Sequence, residues 1–507
     1  MRRNGTGTSM TAGLSGKRPL SIKAGIRAWL VVVLSACLSS AFSSSPSTDS
    51  LLLRDYAYIK HSSPWLTSQN AAGLTHFSNS NIAEAELRLG IGKGGLVNYY
   101  ESPKTLTFDG GIESFYRISQ RVVLFGGMSY ENYTGRKMTG SAFVNPERLP
   151  FDIVEDSLTN EGRKHRDTYQ LTGAVGVDLW HGAALGVRVD YTAANYAKYK
   201  DLRHKNKLMD LSASAGVSIP LCHWAEIGVD YRYHRYNESV TFGTYGNSDK
   251  VYKSLINYGG FIGVVEQFGN YGFTDKSREM PLFDDGHGMG VQASASAGQL
   301  KFFGEFSYNH RSGYYGRRSP YTITYTAHEG DNYSYYGRLE YHAERSVHQI
   351  GARLSWETLQ NDANTYRELK NDAGSSYYEY YDAVKTSNKL WNSTTIDYTC
   401  YLGLRHEMPA WMFRAAIDLR HRKQTAYQYP YYRRQDIRST ELSLHASRNI
   451  FLPKGVLSLS ANFSWLKGSG EPFEDGTLAE PSDRQTPPPS MDALLYKIGR
   501  ASCRERV

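Results

Sequence analysis

Beyond its first 41 residues the chain has no run of about 20 apolar residues, so no helical membrane span is predicted there. Cysteine is scarce, with four in 507 residues. Two of them, Cys37 and Cys503, lie in the terminal segments. The other two, Cys222 and Cys400, are far apart and have no metal or redox spacing. No nucleophile elbow, H-E-x-x-H zinc motif, Walker loop or dinucleotide fingerprint occurs, so no enzyme activity and no cofactor are expected. Net charge is scarce as well. The chain totals +8, but residues 1–41 contribute +6 and the last ten +2, which leaves a neutral body. A neutral body excludes a nucleic-acid partner recognised by bulk charge.

Alternation is what the chain does have. From Ile82 onward, apolar and polar residues exchange at every step, the period of a strand with one apolar face. In Trp224–Tyr236 the residues Ile227, Val229 and Tyr231 share one parity, and Glu226, Asp230 and Arg232 the other. Such segments recur as seven hairpins: Leu106–Asn132, Tyr169–Ala194, Leu208–Tyr236, Met289–Asn309, Tyr333–Thr358, Asn392–Arg422 and Arg438–Leu466. Links within hairpins are short. Links between them, at 133–168, 193–207, 237–288, 310–332, 359–391 and 423–437, are long, polar and rich in Tyr, Gly and Arg. Strict alternation of short and long links matches the periplasmic turns and outer loops of an outer-membrane barrel.

The expected fold is therefore all-β, an antiparallel transmembrane β-barrel of about 16 strands in the bacterial outer membrane, at residues 82–497. Seven hairpins and the segment 82–90 supply fifteen strands, and Met491–Lys497 would open a sixteenth. The last ten residues, I-G-R-A-S-C-R-E-R-V (498–507), read as the in-frame translation of a sequencing adapter, so the native C-terminal part is expected to be truncated. Residues 1–41 read as a signal peptide. Its end has two readings: ordinary cleavage after Ala41, or a lipobox, Leu34-Ser35-Ala36-Cys37, that would lipidate Cys37. Residues 42–81 form an N-terminal leader, either a periplasmic extension or a segment tucked into the lumen.

Four stretches carry a resemblance: S-S-P-W-L (62–66), S-F-Y-R-I-S followed by L-F-G-G-M-S-Y (114–130), Y-K-D-L-R-H-K-N (199–206) and Y-R-Y-H-R-Y-N-E-S-V-T-F (231–242). Through them the chain resembles an uncharacterised outer-membrane β-barrel family of Gram-negative bacteria, a domain of unknown function. The resemblance implies a barrel and a membrane address, and no activity.

The leading functional expectation is a channel or passive transporter for small polar solutes. Candidate lumen residues are Asp178, Arg188, Asp190, Glu226, Asp230 and Arg232, whose plainest role is a lumen ion-pair network. A second reading is a surface binding or structural protein that engages glycans, lipids or a partner protein. Its Tyr/Arg loops 308–321, 377–382 and 427–435 would supply Arg317, Arg318, Tyr431, Tyr432 and Arg433 for sugars or lipopolysaccharide phosphates. A minor reading is an outer-membrane lipid-modifying enzyme, whose residues would meet only in the fold. Outer-membrane lipids, including lipopolysaccharide, are the expected partners. Trp224, Trp356, Trp411 and Trp465 are expected to anchor strand ends at the headgroups.

Overall fold

Alternating residues become ladders in the computed structural model. It describes residues 54–488 except 79, 95–96, 140, 156–159, 247–248, 270–271, 276–278, 406, 453–454 and 486. The strands in chain order are β1 (Ile82–Lys93), β2 (Lys104–Arg117), β3 (Val122–Met138), β4 (Asp152–Glu155), β5 (Gly162–Asp178), β6 (Ala184–Lys198) and β7 (Arg203–Cys222). Next come β8 (Ala225–Gly243), β9 (Lys253–Gly259), β10 (Ile262–Gln267), β11 (Met280–Ala297), β12 (Leu300–Ser319), β13 (Thr322–His342) and β14 (Ser346–Ala363). The last are β15 (Tyr366–Lys370), β16 (Ser376–Tyr380), β17 (Val384–Leu402), β18 (Trp411–Gln428), β19 (Tyr431–Leu452) and β20 (Gly455–Thr477).

Fifteen of these form one antiparallel wall, β1-β2-β3-β5-β6-β7-β8-β11-β12-β13-β14-β17-β18-β19-β20, each paired to its sequence neighbour in the wall. β4, β9 and β10 form a separate small sheet, and β15 and β16 a hairpin. Between β1 and β20 no ladder forms among the described residues. The expected sixteenth strand, the signal segment with Cys37, and residues 498–507 lie outside the described residues.

The wall is apolar outside and polar inside. Leu87, Val187, Val229, Val291, Phe306 and Ile396 all point outward and are exposed. Asp230, Glu238, Gln292, Glu305, Arg338 and Glu340 are buried within. In water the outward belt would forfeit about 1.5–3 kcal/mol for each large apolar side chain left exposed. A continuous belt of that size belongs in lipid. Aromatic residues mark its edges. Trp224 and Trp411 stand at the inner strand ends, while Trp356 and Trp465 each lie ten residues from the inner starts of β14 and β20. A tilted strand crosses the hydrocarbon in about 9–11 residues, so these two mark the outer headgroup level. Tyr308, Tyr333 and Trp356 form an aromatic row there across β12–β14, with ring centroids 5.0 and 5.5 Å apart.

Beyond that level the strands continue where loops were expected. Links 193–207, 310–332 and 423–437 are largely ladder, and β12 and β13 are joined through Pro320 and Tyr321 alone. Above the membrane the outward face no longer needs apolar residues, so the alternation fades while the backbone still pairs. The inward face there remains buried, as Tyr315, Thr326 and Arg433 show.

Candidate functional site

Two separate bodies occupy the lumen, one at each end. The inner body is residues 54–77. Asp55 caps the short helix Tyr56–His61 by accepting the Tyr58 amide at 2.9 Å. Pro64 opens a second turn, Pro64–Thr67, and Asn70 caps the 3₁₀ turn Ala71–His76 through the Ala72 amide at 3.0 Å. Its apolar side, Ile59, Leu66, Leu74 and Phe77, packs on Phe115, Val123 and Phe125 of β2 and β3.

Its polar side is pinned around the wall. Lys60 pairs with Glu113 on β2 at 2.5 Å, Trp65 Nε1 donates to Ser294 on β11 at 3.1 Å, and Ser68 donates to Glu305 on β12 at 3.3 Å. The Tyr58 ring meets Tyr401 on β17 edge-on at 5.0 Å. One short segment that reaches β2, β11, β12 and β17 together has the wall curved around it, which makes the sheet a barrel. Within the leader, residues 54–77 pack on inward-facing residues of these strands.

Glycine makes the seat. Gly176, Gly186 and Gly216 lie directly across from one another on β5, β6 and β7. A side chain on Gly186 would overlap the backbone of Ala71 and Ala72, and one on Gly216 the amide oxygen of Asn70. On Gly176 it would come within 2.9 Å of the Leu74 Cβ, and on Gly228 within 2.8 Å of the Asn70 amide nitrogen. Asn70 completes the contact by donating to the Val217 carbonyl at 3.0 Å and to Gln292 Oε1 at 2.9 Å.

The sequence-derived lumen residues divide around this seat. Gln292 donates to Asp230 at 2.6 Å and to Glu305 at 3.1 Å, and Arg232 donates to Asp230 at 2.6 Å and to Ser307 at 3.2 Å. Asp230 and Arg232 thus stand one side chain behind Asn70. Glu226 is reached directly by His76 at 3.0 Å, whose ring stacks on Trp65 with centroids 5.3 Å apart. Arg188 and Asp190 form their own pair at 2.7 Å, joined by Thr172. Asp178, at the inner end of β5, joins neither group.

The outer body is a cap built from residues 141–155, 253–269 and 272–275. The sheet β4-β9-β10 and the segment before it bury Phe143, Leu149, Phe151, Ile153, Ile256 and Ile262 against Val240, Leu282 and Tyr315 of the wall. Lys389 donates to the Leu149 carbonyl at 2.6 Å, and Asn206 to the Ala142 carbonyl at 2.8 Å. Arg433 was expected in an exposed loop, and the structure corrects this. It is buried on β19, held bidentately by Asp475 at 2.6 and 2.7 Å, and donates to the Gly260 carbonyl at 2.9 Å. Tyr431 and Tyr432 likewise lie on β19, where the Tyr431 hydroxyl donates to the Gln485 carbonyl at 3.1 Å. Arg317 and Arg318 end β12 at the outer rim, with Arg318 over the Tyr314 ring at 4.1 Å.

Asn70, Gln292, Glu305 and the glycines escape a reading based on charge and alternation. A signal was present: Gly-Val occurs at 176–177, 186–187, 216–217, 228–229 and 290–291, once on each of five successive wall strands. Valine faces lipid and glycine faces the lumen.

An antiparallel wall, apolar outside and polar inside, curved around a docked segment, defines an integral outer-membrane β-barrel with an occupied lumen. The chain belongs to a family of unknown function (DUF6850), whose model matches residues 71–481. Among curated proteins no relative matches. Of solved structures, the chain is similar to the alcaligin outer-membrane receptor FauA from Bordetella pertussis, at 9% identity and TM-score 0.35, covering 79% of this chain and 71% of that one. It is similar to the outer-membrane transporter YddB from Escherichia coli, at 8% identity and TM-score 0.36, covering 78% and 61%. It is also similar to BauA, the ferric preacinetobactin receptor from Acinetobacter baumannii, at 7% identity and TM-score 0.35, covering 76% and 70%.

Proposed function

We propose that the protein is a gated channel for small polar solutes and that residues 54–77 are its gate. The glycine seat carries this reading. Lumen glycines elsewhere are covered by side chains of the wall itself, as Gly290 is by Asp230 and Arg232. Gly176 and Gly186 instead leave a slot that admits the segment's backbone, and over Gly216 the Asn70 side chain enters with hydrogen bonds that water can replace. Such a contact is specific when made and cheap to break. Behind it, Asp230, Arg232, Gln292 and Glu305 line a polar surface suited to hydrated solutes.

Recording in planar bilayers tests the reading. Wild-type protein is expected to conduct rarely, and Gly186→Leu, which cannot seat the segment, to conduct persistently. A Gly186→Leu barrel that keeps its heat-modifiable mobility on gels but stays as quiet as wild type would overturn the gate.

A further inference from the structure

Two of the three Tyr/Arg stretches, 308–321 and 377–382, converge on one place. The hairpin β15–β16 folds back on the outer tip of β12 and β13. The Tyr378 amide donates to the Pro320 carbonyl at 2.9 Å, and the Thr324 amide donates to the Tyr380 hydroxyl at 2.8 Å. Between hairpin and wall lies an open cleft of about 570 Å3, lined by Tyr314, Arg318, Thr324, Asn364, Tyr378 and Tyr380. Tyr366 backs it, with ring centroids 5.6 Å from Tyr378 and 6.1 Å from Tyr380.

The cleft faces sideways. Tyr314 has the outward parity of Phe302 and Phe306, and its ladder partner Ala327 that of Tyr335 and Leu339. Tyr314 is also six residues beyond Tyr308 of the aromatic row. That is about 20 Å along the strand, or about 14 Å in height at a tilt near 45°. A lateral cleft at that height meets neither hydrocarbon nor bulk medium. It meets the saccharides carried by neighbouring outer-leaflet lipids. Its chemistry suits them: tyrosine faces for sugar rings, the Asn364 amide for hydroxyls, and guanidinium for phosphate. Among the described residues, no carboxylate forms an ion pair with Arg317 or Arg318, so their charge is available to a ligand.

We infer that this cleft binds the phosphorylated core saccharide of an adjacent lipopolysaccharide, with Tyr314, Tyr378 and Tyr380 against sugar and Arg318 on phosphate.

The experiment uses the full chain in nanodiscs and three fluorescent probes: core-bearing lipopolysaccharide, lipid A alone, and neutral dextran. Core-bearing lipopolysaccharide is expected to bind at least tenfold tighter than lipid A, with dextran far weaker. Tyr314→Ala and Arg318→Gln are each expected to weaken the core-bearing probe about fivefold to tenfold and to leave lipid A unchanged. Arg318→Gln tests an exposed group, so it remains informative if Tyr314→Ala fails to fold. Equal binding of core-bearing lipopolysaccharide and lipid A overturns the proposal. So does wild-type affinity in a folded Arg318→Gln, and so does dextran binding as tightly as the core, which would make the cleft a neutral-glycan site.

Discussion

The two bodies in the lumen are held by different physics. The outer cap has a hydrophobic core of its own, with Phe143, Phe151, Ile153 and Ile262 buried against the wall. The inner segment has a smaller apolar contact and depends on a backbone fit over glycine plus scattered polar pins. A hydrophobic core comes apart as a unit and at high cost. A backbone seat with exchangeable hydrogen bonds can be left and regained. By this contrast the inner segment is expected to leave its place before the cap does, and the contrast can be broken from either side.

The largest effect is expected from Gly186→Leu. A leucine there has nowhere to go, because the opposing atoms are the Ala71 and Ala72 backbone and not a flexible side chain. Overpacking a tight contact costs about 1–3 kcal/mol even where neighbours can shift, and here they cannot without undocking. Trypsin cleavage after Lys60, which is shielded in the docked helix, is expected to accelerate at least tenfold. Unchanged cleavage would put the segment's hold elsewhere than in the seat.

Next is Phe151→Ala. Phe151 is fully buried, with its ring edge-on to Phe143 at 5.7 Å and to Tyr315 at 5.1 Å. Its loss is expected to cost the cap about 3–5 kcal/mol. Hydrogen exchange should rise through β9 and β10 while Lys60 cleavage stays at the wild-type rate. If both ends loosen together, plug and cap are one cooperative unit and the contrast fails.

Asn70→Ala ranks third, at about 2 kcal/mol. It removes the donors to Val217 and Gln292 together with the cap on Ala72. Lys60 cleavage is expected to rise, by less than in Gly186→Leu. A cavity-sized water can replace part of the amide, which is why the effect is smaller than a steric one. Asn70→Asp keeps the acceptor for Ala72 and loses the donors, so it separates the cap from the pins.

The wall was legible because lipid enforces a strict rule. Ile227, Val229 and Tyr231 had to be apolar and Asp230 had to turn inward, and alternation carries that directly. The lumen was not legible in the same way, because no solvent dictates a pattern there. Asn70 is an ordinary polar residue until Gly216 and Val217 are placed beside it. Arg433 looked like a loop residue because its neighbours Tyr431, Tyr432 and Arg434 are polar and the strand there lies above the membrane. Only the cap beneath it, with the Gly260 carbonyl as acceptor, explains its burial. The Tyr/Arg stretches were visible as composition, but nothing in their order told that 308–321 and 377–382 would meet and that Arg433 of 427–435 would turn to the lumen.

The smallest expected effect comes from pH, and it acts on the two ends in opposite senses. Asp152 lies in the cap sheet, fully enclosed, and burial pushes its carboxyl up to about 6, against the pull of the Phe143 amide and the Lys164 ammonium. Glu266, on β10, is pushed the same way by burial, to about 7. An acid whose value is raised on docking binds protons more tightly docked than free. Its contribution is greatest below pH 4 and is lost as pH rises through about 6. Lowering the pH from 7 to 5 should therefore tighten the cap, through Glu266 as well as Asp152. Hydrogen exchange in β9 and β10 should slow severalfold, once corrected for the intrinsic rate, and Asp152→Asn combined with Glu266→Gln should abolish most of the change. The inner segment responds in the opposite sense: burial pushes the His61 imidazole down to about 4, so its docked form is weakened as pH falls through the free value near 6.5. An acid-induced slowing in β9 and β10 without a matching fall in Lys60 cleavage, measured with a protease active at both values, would separate the two ends by chemistry as well as by packing.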